Sequence, residues 1–561
     1  MAHELRFIGP PGCGKTTRMT QCVRQAADRY GPENVLICSL TKAAGSQAAL
    51  ALHEQGVPVP DRNVGTLHSF AYRSLQLGQD QIADTPKRLK EWNAFVEAER
   101  RSYFRISSAT ADLDEGAAEN SWGGETLGDR CFGQYQISRA RCLPVETLDE
   151  TGQAFVALWE QFKSDCGLYD FTDLLGIALR DTLAAPENPR VLFVDEAQDT
   201  SMLGMRLLRS WAEEAAYLLI FGDPLQNLFA WAGTDSKAFT TPDVPDSHKH
   251  VLSQSYRVPR AVHAQALRWI EPLKRELEAE LGKAIEYFPR PEEGELRRLG
   301  SAHFKYPEPA VNDAERYLAA GKTVMFQAAC AHMLEPLLMV LRKRGIPFHN
   351  PWRTKRSDWN PLGARRGKGP KARLLSFLRL CAEVYGSDAA VWTPADLWNW
   401  LEVCEASGLL LRGAKKAVQE IAAVEGAREP LTASRLLLWF EADALTEALE
   451  ASEAANLEWL LKRALPAKKR PLEFPAAICK KLGPAALLET PRVIVGTIHS
   501  LKGSQADVTY VFPDLSRAGM DEWCRGGAAR AGIVRMFYVA MTRPEESLVL
   551  CGQASPFAVA L

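Results

Sequence analysis

Short apolar runs recur along the chain, separated by amphipathic stretches of helical period. Leu5–Ile8 is the first, Asn34–Leu40 (NVLICSL) the second, Arg190–Asp195 (RVLFVD) the third and Tyr217–Phe221 (YLLIF) the fourth. Val251–Arg257 (VLSQSYR) starts what reads as a second unit, continued by Val324–Ala328, Arg492–Ile498, Val508–Phe512 and Ser547–Cys551. These runs are continuously apolar and β-branched rather than alternating, as strands buried on both faces are. Strands alternating with helical stretches predict an α/β protein with parallel sheets.

Two regions break the alternation. From Tyr72 to about Cys166, charged helical stretches (Lys87–Arg101) lead into a piece rich in Gly, Ser, Ala and Asp, Ser107–Gly128, which reads as loop. From Thr354 to about Glu489 a second long helical set follows a basic, Gly/Pro-rich run, Arg353–Arg373, and closes near Lys468-Lys469-Arg470-Pro471. Both regions read as inserted, mainly helical subdomains. Each basic run is either a solvated loop or a contact for a phosphate backbone.

Composition narrows the class without naming a function. With 561 residues the chain is too long for one core. A hydrophobic content of 46% and a charged content of 24% are ordinary for a globular protein. The formal net charge of −2 excludes overall basicity, so a nucleic-acid partner needs a local patch or groove. The 12 cysteines form no CxxC pair, which indicates neither a zinc site nor a disulfide framework. No apolar run approaches the roughly 20 residues that span a bilayer. Met1–Glu4 lead straight into the first strand, so the expectation is no export signal, no membrane and a cytoplasmic location.

The candidate chemistry sits where strands end. Gly9-Pro10-Pro11-Gly12-Cys13-Gly14-Lys15-Thr16 follows the first strand and opens a helix-like segment that begins at Thr17. That strand–GxxxxGK[ST]–helix context makes a phosphate cradle. Glycines let backbone N–H groups close round an anion, and the helix start adds donors and a positive dipole end. Lys15 reaches the β- and γ-phosphates, and Thr16 places a hydroxyl on Mg²⁺. Asp195 and Glu196 end the third apolar run. A carboxylate there holds Mg²⁺, and its neighbour orients and deprotonates water. After the fourth run come Gln226, an amide able to sense a γ-phosphate, and two aromatics, Phe229 and Trp231. Their rings suit either base stacking or the core. Arg257 and Arg543 are either surface ion pairs or cations delivered across a nucleotide from the second unit. Tyr256 is placed to stack on a base.

Taken together and in order, these stretches resemble the UvrD/Rep/PcrA-like helicases of superfamily 1. GPPGCGKTT looks like motif I, SLTKAAG motif Ia, GTLHSF motif Ib, and DFTDLL the acidic turn before motif II. VDEAQD looks like motif II, GDPLQNLFAWAG motif III, LSQSYR motif IV, GTIHSLKG motif V and FYVAMTR motif VI. The resemblance implies two RecA-like P-loop motor domains with parallel sheets, each carrying a mainly helical inserted subdomain. The first would be residues 1–71 and 167–248 with insertion 72–166. The second would be 249–353 and 490–561 with insertion 354–489.

By the same resemblance, ATP with Mg²⁺ binds through Gly9, Pro10, Gly12, Cys13, Gly14, Lys15, Thr16, Thr17, Tyr256, Gly503 and Gln505. Thr16 and Asp195 hold the metal, Glu196 is the base, Gln226 the γ-phosphate sensor, and Arg257 and Arg543 the arginine fingers. Thr41, Thr66, His68, Phe229, Trp231, Thr497 and His499 line the DNA. The implied activity is ATP-dependent translocation on single-stranded DNA, 3′ to 5′, with unwinding at single-strand/duplex junctions. The alternative is an ATP-switched DNA-binding subunit of a repair, recombination or phage-defence complex that unwinds little alone. The chain departs from the family pattern at three places: none of the eight residues before Gly9 is Gln, Ala232 follows Trp231 where the family has Arg, and Gln505 replaces a Glu.

Overall fold

A computed structural model of the chain describes residues 2–40, 42–107, 126–354, 356–363, 369–424 and 429–561. The strands are β1 (His3–Ile8), β2 (Val35–Ser39), β3 (Val64–Thr66), β4 (Val191–Val194), β5 (Tyr217–Gly222), β6 (Lys249–Val251), β7 (Glu295–Leu299), β8 (Val324–Ala328), β9 (Phe348–His349), β10 (Val493–Thr497), β11 (Ala506–Val511) and β12 (Pro544–Cys551). The protein is α/β with two parallel sheets, as the apolar runs predict.

The chain divides into two compact units. One comprises Met1–Leu299, Gln327–Ala331 and Thr497–Leu561, the other Gly300–Phe326 and His332–Gly496.

The first unit holds a sheet of order β3-β2-β4-β5-β1-β6, all pairs parallel. Successive residues of each strand feed opposite faces, so Phe7, Val35, Ile37, Phe193 and Phe221 pack one core. Ile8, Leu36, Val194 and Ile220 pack the other. Phe7 and Phe221 stack at 4.4 Å on adjacent strands. One expectation changes here. The run at Val251 does not start a second sheet: β6 extends the first, with Ile8 beside Val251 and Arg6 beside Lys249. The same unit also contains β12 paired in parallel with β7 and β11. β7 (ELRRL) carries too many charges to have been read from its pattern.

Helices Pro86–Ala98, Leu127–Ala140 and Glu150–Cys166 make up the expected first insertion. Their core is aromatic, with Trp92 edge-on to Trp159 at 5.0 Å and to Phe155 at 5.5 Å. Most of the expected loop Ser107–Gly128 lies outside the described residues.

In the second unit β10 pairs in parallel with β9, and Asn350 donates to the Val495 carbonyl at 2.9 Å. Helices from Pro370–Phe377 to Pro466–Leu482 follow, around Phe377, Trp392, Trp400 and Trp459. Within the basic run, Arg365, Arg366 and Lys368 lie outside the described residues, and Arg373 pairs with Glu402 at 2.5 Å. No helix among the described residues is long and apolar enough to cross a membrane.

Candidate nucleotide-binding site

The loop between β1 and the helix Lys15–Tyr30 has the shape its glycines allow. Gly12 and Gly14 take φ of 75° and 76°, the left-handed region where a side chain is strained. At Gly12 space is as strict as conformation, since an added Cβ would stand 2.4 Å from Arg257 Cβ. No side chain caps the helix that starts at Lys15, so its first-turn N–H groups stay available to an anion. Lys15 folds back over the loop, donating to the carbonyls of Gly9 at 2.9 Å and Pro10 at 3.3 Å. Burial opposes charge on Lys15, but Cys13, Glu196, Asp223 and Asp195 outweigh it and raise its pKa.

A neighbouring segment clamps this loop. Ser255 Oγ donates to the Pro11 carbonyl at 2.7 Å, and the Tyr256 N–H donates to the Gly12 carbonyl at 2.8 Å. The Tyr256 ring, 72% exposed, lies against Gly14, an open aromatic face beside the glycine-rich loop. Arg257 Nε donates to Gln505 Oε1 at 2.9 Å, which brings Gln505 to the same rim. Thr16 and Thr17 stand exposed on the first helical turn, and Gly503 is exposed with φ of 88°.

The end of β4 supplies the acids. Asp195 is buried, and burial together with Glu196 pushes its pKa up to about 7. Glu196 sits in the left-handed region at φ 49°, an uncommon posture for a non-glycine. Burial works against its charge, yet Lys502, Lys15 and a hydrogen bond from Gln198 hold its pKa down. The two carboxyls of the pair are thus pushed in opposite directions, Asp195 up and Glu196 down. As hard oxygen donors, Asp195 and Thr16 fit a magnesium ion.

Behind β5, Gln226 is buried with its amide fixed at both ends. Its NH₂ donates to Asp223 at 2.8 Å, and its oxygen accepts from Arg543 Nη2 at 3.1 Å. Arg543 is itself 2% exposed and anchored through Nε to the Val539 carbonyl at 2.9 Å. Burial and the nearby Arg257 push its pKa down to about 9. Arg543 and Arg257 repel one another while both feel the Glu196 carboxylate, a concentration of positive charge that a polyanion relieves.

Lys502, Asp199, Asp223 and Ser255 were given no role from the sequence. Lys502 pairs with Asp199, donates to the Gln226 carbonyl at 2.9 Å and lies 4.0 Å from Glu196. Its position in the Ile498-His499-Ser500-Leu501-Lys502 stretch was the one local signal. A cluster of Glu160, Asp170 and Asp173 has metal-like spacing, but Lys163 and Arg139 already fill it.

The expected DNA contacts divide. His68 and His499 are partly exposed, at the ends of β3 and β10. Phe229 does not present its ring outward: it is buried, edge-on to His499 at 6.4 Å and under the Lys502 ammonium at 5.5 Å. Apolar packing wins at that position. Thr497 is buried too, and its hydroxyl accepts from Ser500 N at 3.3 Å. Thr66 caps the helix Leu67–Leu75 through Ser69 N at 3.2 Å. Both hydroxyls therefore shape turns. Thr41 lies outside the described residues, as does the side chain of Trp231.

A parallel sheet with a glycine-rich loop, a strand-end acid pair and converging arginines defines a P-loop nucleotide-binding protein. More narrowly, residues 2–243 match the UvrD/REP helicase N-terminal domain, so this part of the chain resembles the UvrD/PcrA-like helicases. It is 26% identical over 281 residues to the ATP-dependent DNA helicase UvrD2 of Mycobacterium tuberculosis (strain ATCC 25618 / H37Rv), covering 46% of this chain and 40% of that one. It is 22% identical over 268 residues to the ATP-dependent DNA helicase PcrA of Staphylococcus epidermidis (strain ATCC 12228 / FDA PCI 1200), covering 45% and 36%. The chain thus spans less than half the length of these curated relatives.

Proposed function

We propose that this chain hydrolyses ATP and uses the cycle to move along single-stranded DNA, 3′ to 5′, separating duplex ahead of it. The observation that carries this is the gathering of Lys15, Arg257 and Arg543, from remote parts of the chain, around Glu196, with Gln226 bonded to Arg543. Such a set is suited to a γ-phosphate.

The residues divide the work by position. The loop N–H groups and Lys15 hold the β- and γ-phosphates, and Tyr256 carries the base. Thr16 and Asp195 hold magnesium, which when bound supplies positive charge at the phosphate oxygens. Glu196, kept ionised by Lys502 and Lys15, accepts the proton of the attacking water. Gln226 senses the γ-phosphate, and Arg543 and Arg257 neutralise charge that develops on it. Lys502 donates to the backbone carbonyl of Gln226 and also sits over the Phe229 ring, which meets His499, and this supports a link between nucleotide state and strand contact.

The test is ATP turnover with and without single-stranded DNA, followed by strand displacement on a 3′-tailed duplex. The expected result is slow turnover that DNA accelerates, with displacement from the 3′ tail. Turnover indifferent to DNA contradicts the motor. Acceleration without displacement favours an ATP-switched subunit of a larger assembly.

A further inference from the structure

The turn that follows Phe229 is not framed by the motor sheet alone. The helix Leu127–Ala140, which belongs to the helical insertion, ends directly upon it. Gly233 takes φ of 86°, and a Cβ there would stand 2.7 Å from Ala140 Cβ and 3.3 Å from Ile137 Cα. Arg141, the residue capping that helix, donates from Nη2 to the carbonyl of Ala230 at 3.1 Å. The helix end is tied down, because Arg139 two residues back is held by Asp170 at 2.7 Å and Asp173 at 2.6 Å. Both carboxylates also hold Lys163.

Arg141 differs from its neighbours in one respect. Its side chain is exposed, and no carboxylate among the described residues pairs with it. One hydrogen bond to a carbonyl uses one of five guanidinium N–H donors and fixes the plane of the group across the turn. The remaining donors belong to the planar fork whose geometry matches a phosphate. The end of a helix is weakly negative, so this guanidinium is what makes the spot attractive to an anion.

We propose that this helix end forms one wall of the nucleic-acid track, with Arg141 binding a backbone phosphate of the strand that lies on the turn Ala230–Ala232. The inference rests on the DNA-motor reading and adds to it a contact from the insertion. A phosphate contact carries no sequence information. It holds the strand in place without reading its bases.

The experiment measures binding of a labelled oligothymidylate by fluorescence anisotropy across a salt series, for the wild type, Arg141→Ala and Arg141→Lys. The thermal midpoint of each variant serves as the fold control. Arg141→Ala is expected to bind severalfold more weakly at low salt. The slope of log K against log salt should fall in magnitude by about 0.7, the value for one lost single-strand phosphate contact. Arg141→Lys should restore the slope, because it keeps the charge. An Arg141→Ala protein with wild-type affinity and slope overturns the proposal. So does one that binds more weakly with an unchanged slope, since that reports a shifted turn rather than a lost phosphate. If the wild type itself does not bind, the DNA reading falls and takes this inference with it. If the wild type binds and the variant matches it, this inference alone falls.

Discussion

Arg543 donates to the side-chain oxygen of Gln226 at 3.1 Å, across a separation of 317 residues. One guanidinium thus touches the amide expected to sense the γ-phosphate, and burial keeps both groups from water. Arg543→Ala should leave ATP binding within a few fold of wild type while hydrolysis falls about 10³-fold or more, the range for a lost arginine finger. Nucleotide titration and steady-state turnover on the same preparation check this. Equal losses in binding and turnover would make Arg543 a ground-state anchor instead.

Gly12 tests the clamp between the phosphate loop and the segment that carries Arg257. An alanine there costs about 1–2 kcal/mol in the left-handed region alone, and its methyl would meet Arg257 Cβ at 2.4 Å. Gly12→Ala should weaken nucleotide binding about tenfold or more and disturb Arg257 as well. Unchanged affinity by fluorescence titration would show that the loop does not keep this form when it works.

The charge cage under the first insertion should govern stability. Asp170 is fully buried and accepts from Arg139 at 2.7 Å, Lys163 at 3.0 Å and Trp159 at 3.0 Å. Burial resists its ionisation, yet Arg139 and Lys163 drive its pKa far below the usual carboxylate range. Asp170→Ala leaves two buried cations short of a partner, a loss of about 3–5 kcal/mol. Urea denaturation reads it directly, and a loss under about 1 kcal/mol would mean the cage is solvated.

His68 gives a pH signature. Burial pushes its pKa down from 6.5 to about 4. A base so lowered stays neutral in the folded protein while the unfolded chain takes up a proton. Its contribution is therefore whole above about pH 6.5 and is lost as pH falls toward 4. The ring is partly exposed, so the loss should be about 1–3 kcal/mol. Subtracting the stability profile of His68→Gln from that of the wild type isolates it. A flat difference between pH 4 and 6.5 would contradict the assignment.

Local pattern carried the sequence reading a long way. Uninterrupted apolar runs marked β1, β2, β4 and β5, because strands covered on both faces cannot alternate. The glycine-rich turn between β1 and the first helix was readable since its glycines stand where positive φ is needed. What failed depended on distant partners. Nothing in residues 227–233 says that Phe229 turns inward, because His499 and Lys502, which cover it, lie more than 250 positions away. β6 was assigned to a second unit because three residues cannot announce that their partner is β1. The pairing of Lys502 with Asp199 and the clamp from Ser255 to Pro11 exist only after the chain has closed on itself.

The central claim is that one triphosphate sits between Lys15 and Arg543. The most direct measurement is a structure with magnesium and a non-hydrolysable ATP analogue. The account predicts the γ-phosphate in contact with both the Lys15 ammonium and the Arg543 guanidinium. A nucleotide bound with Arg543 still turned away from its phosphates, or bound outside this loop, would contradict it.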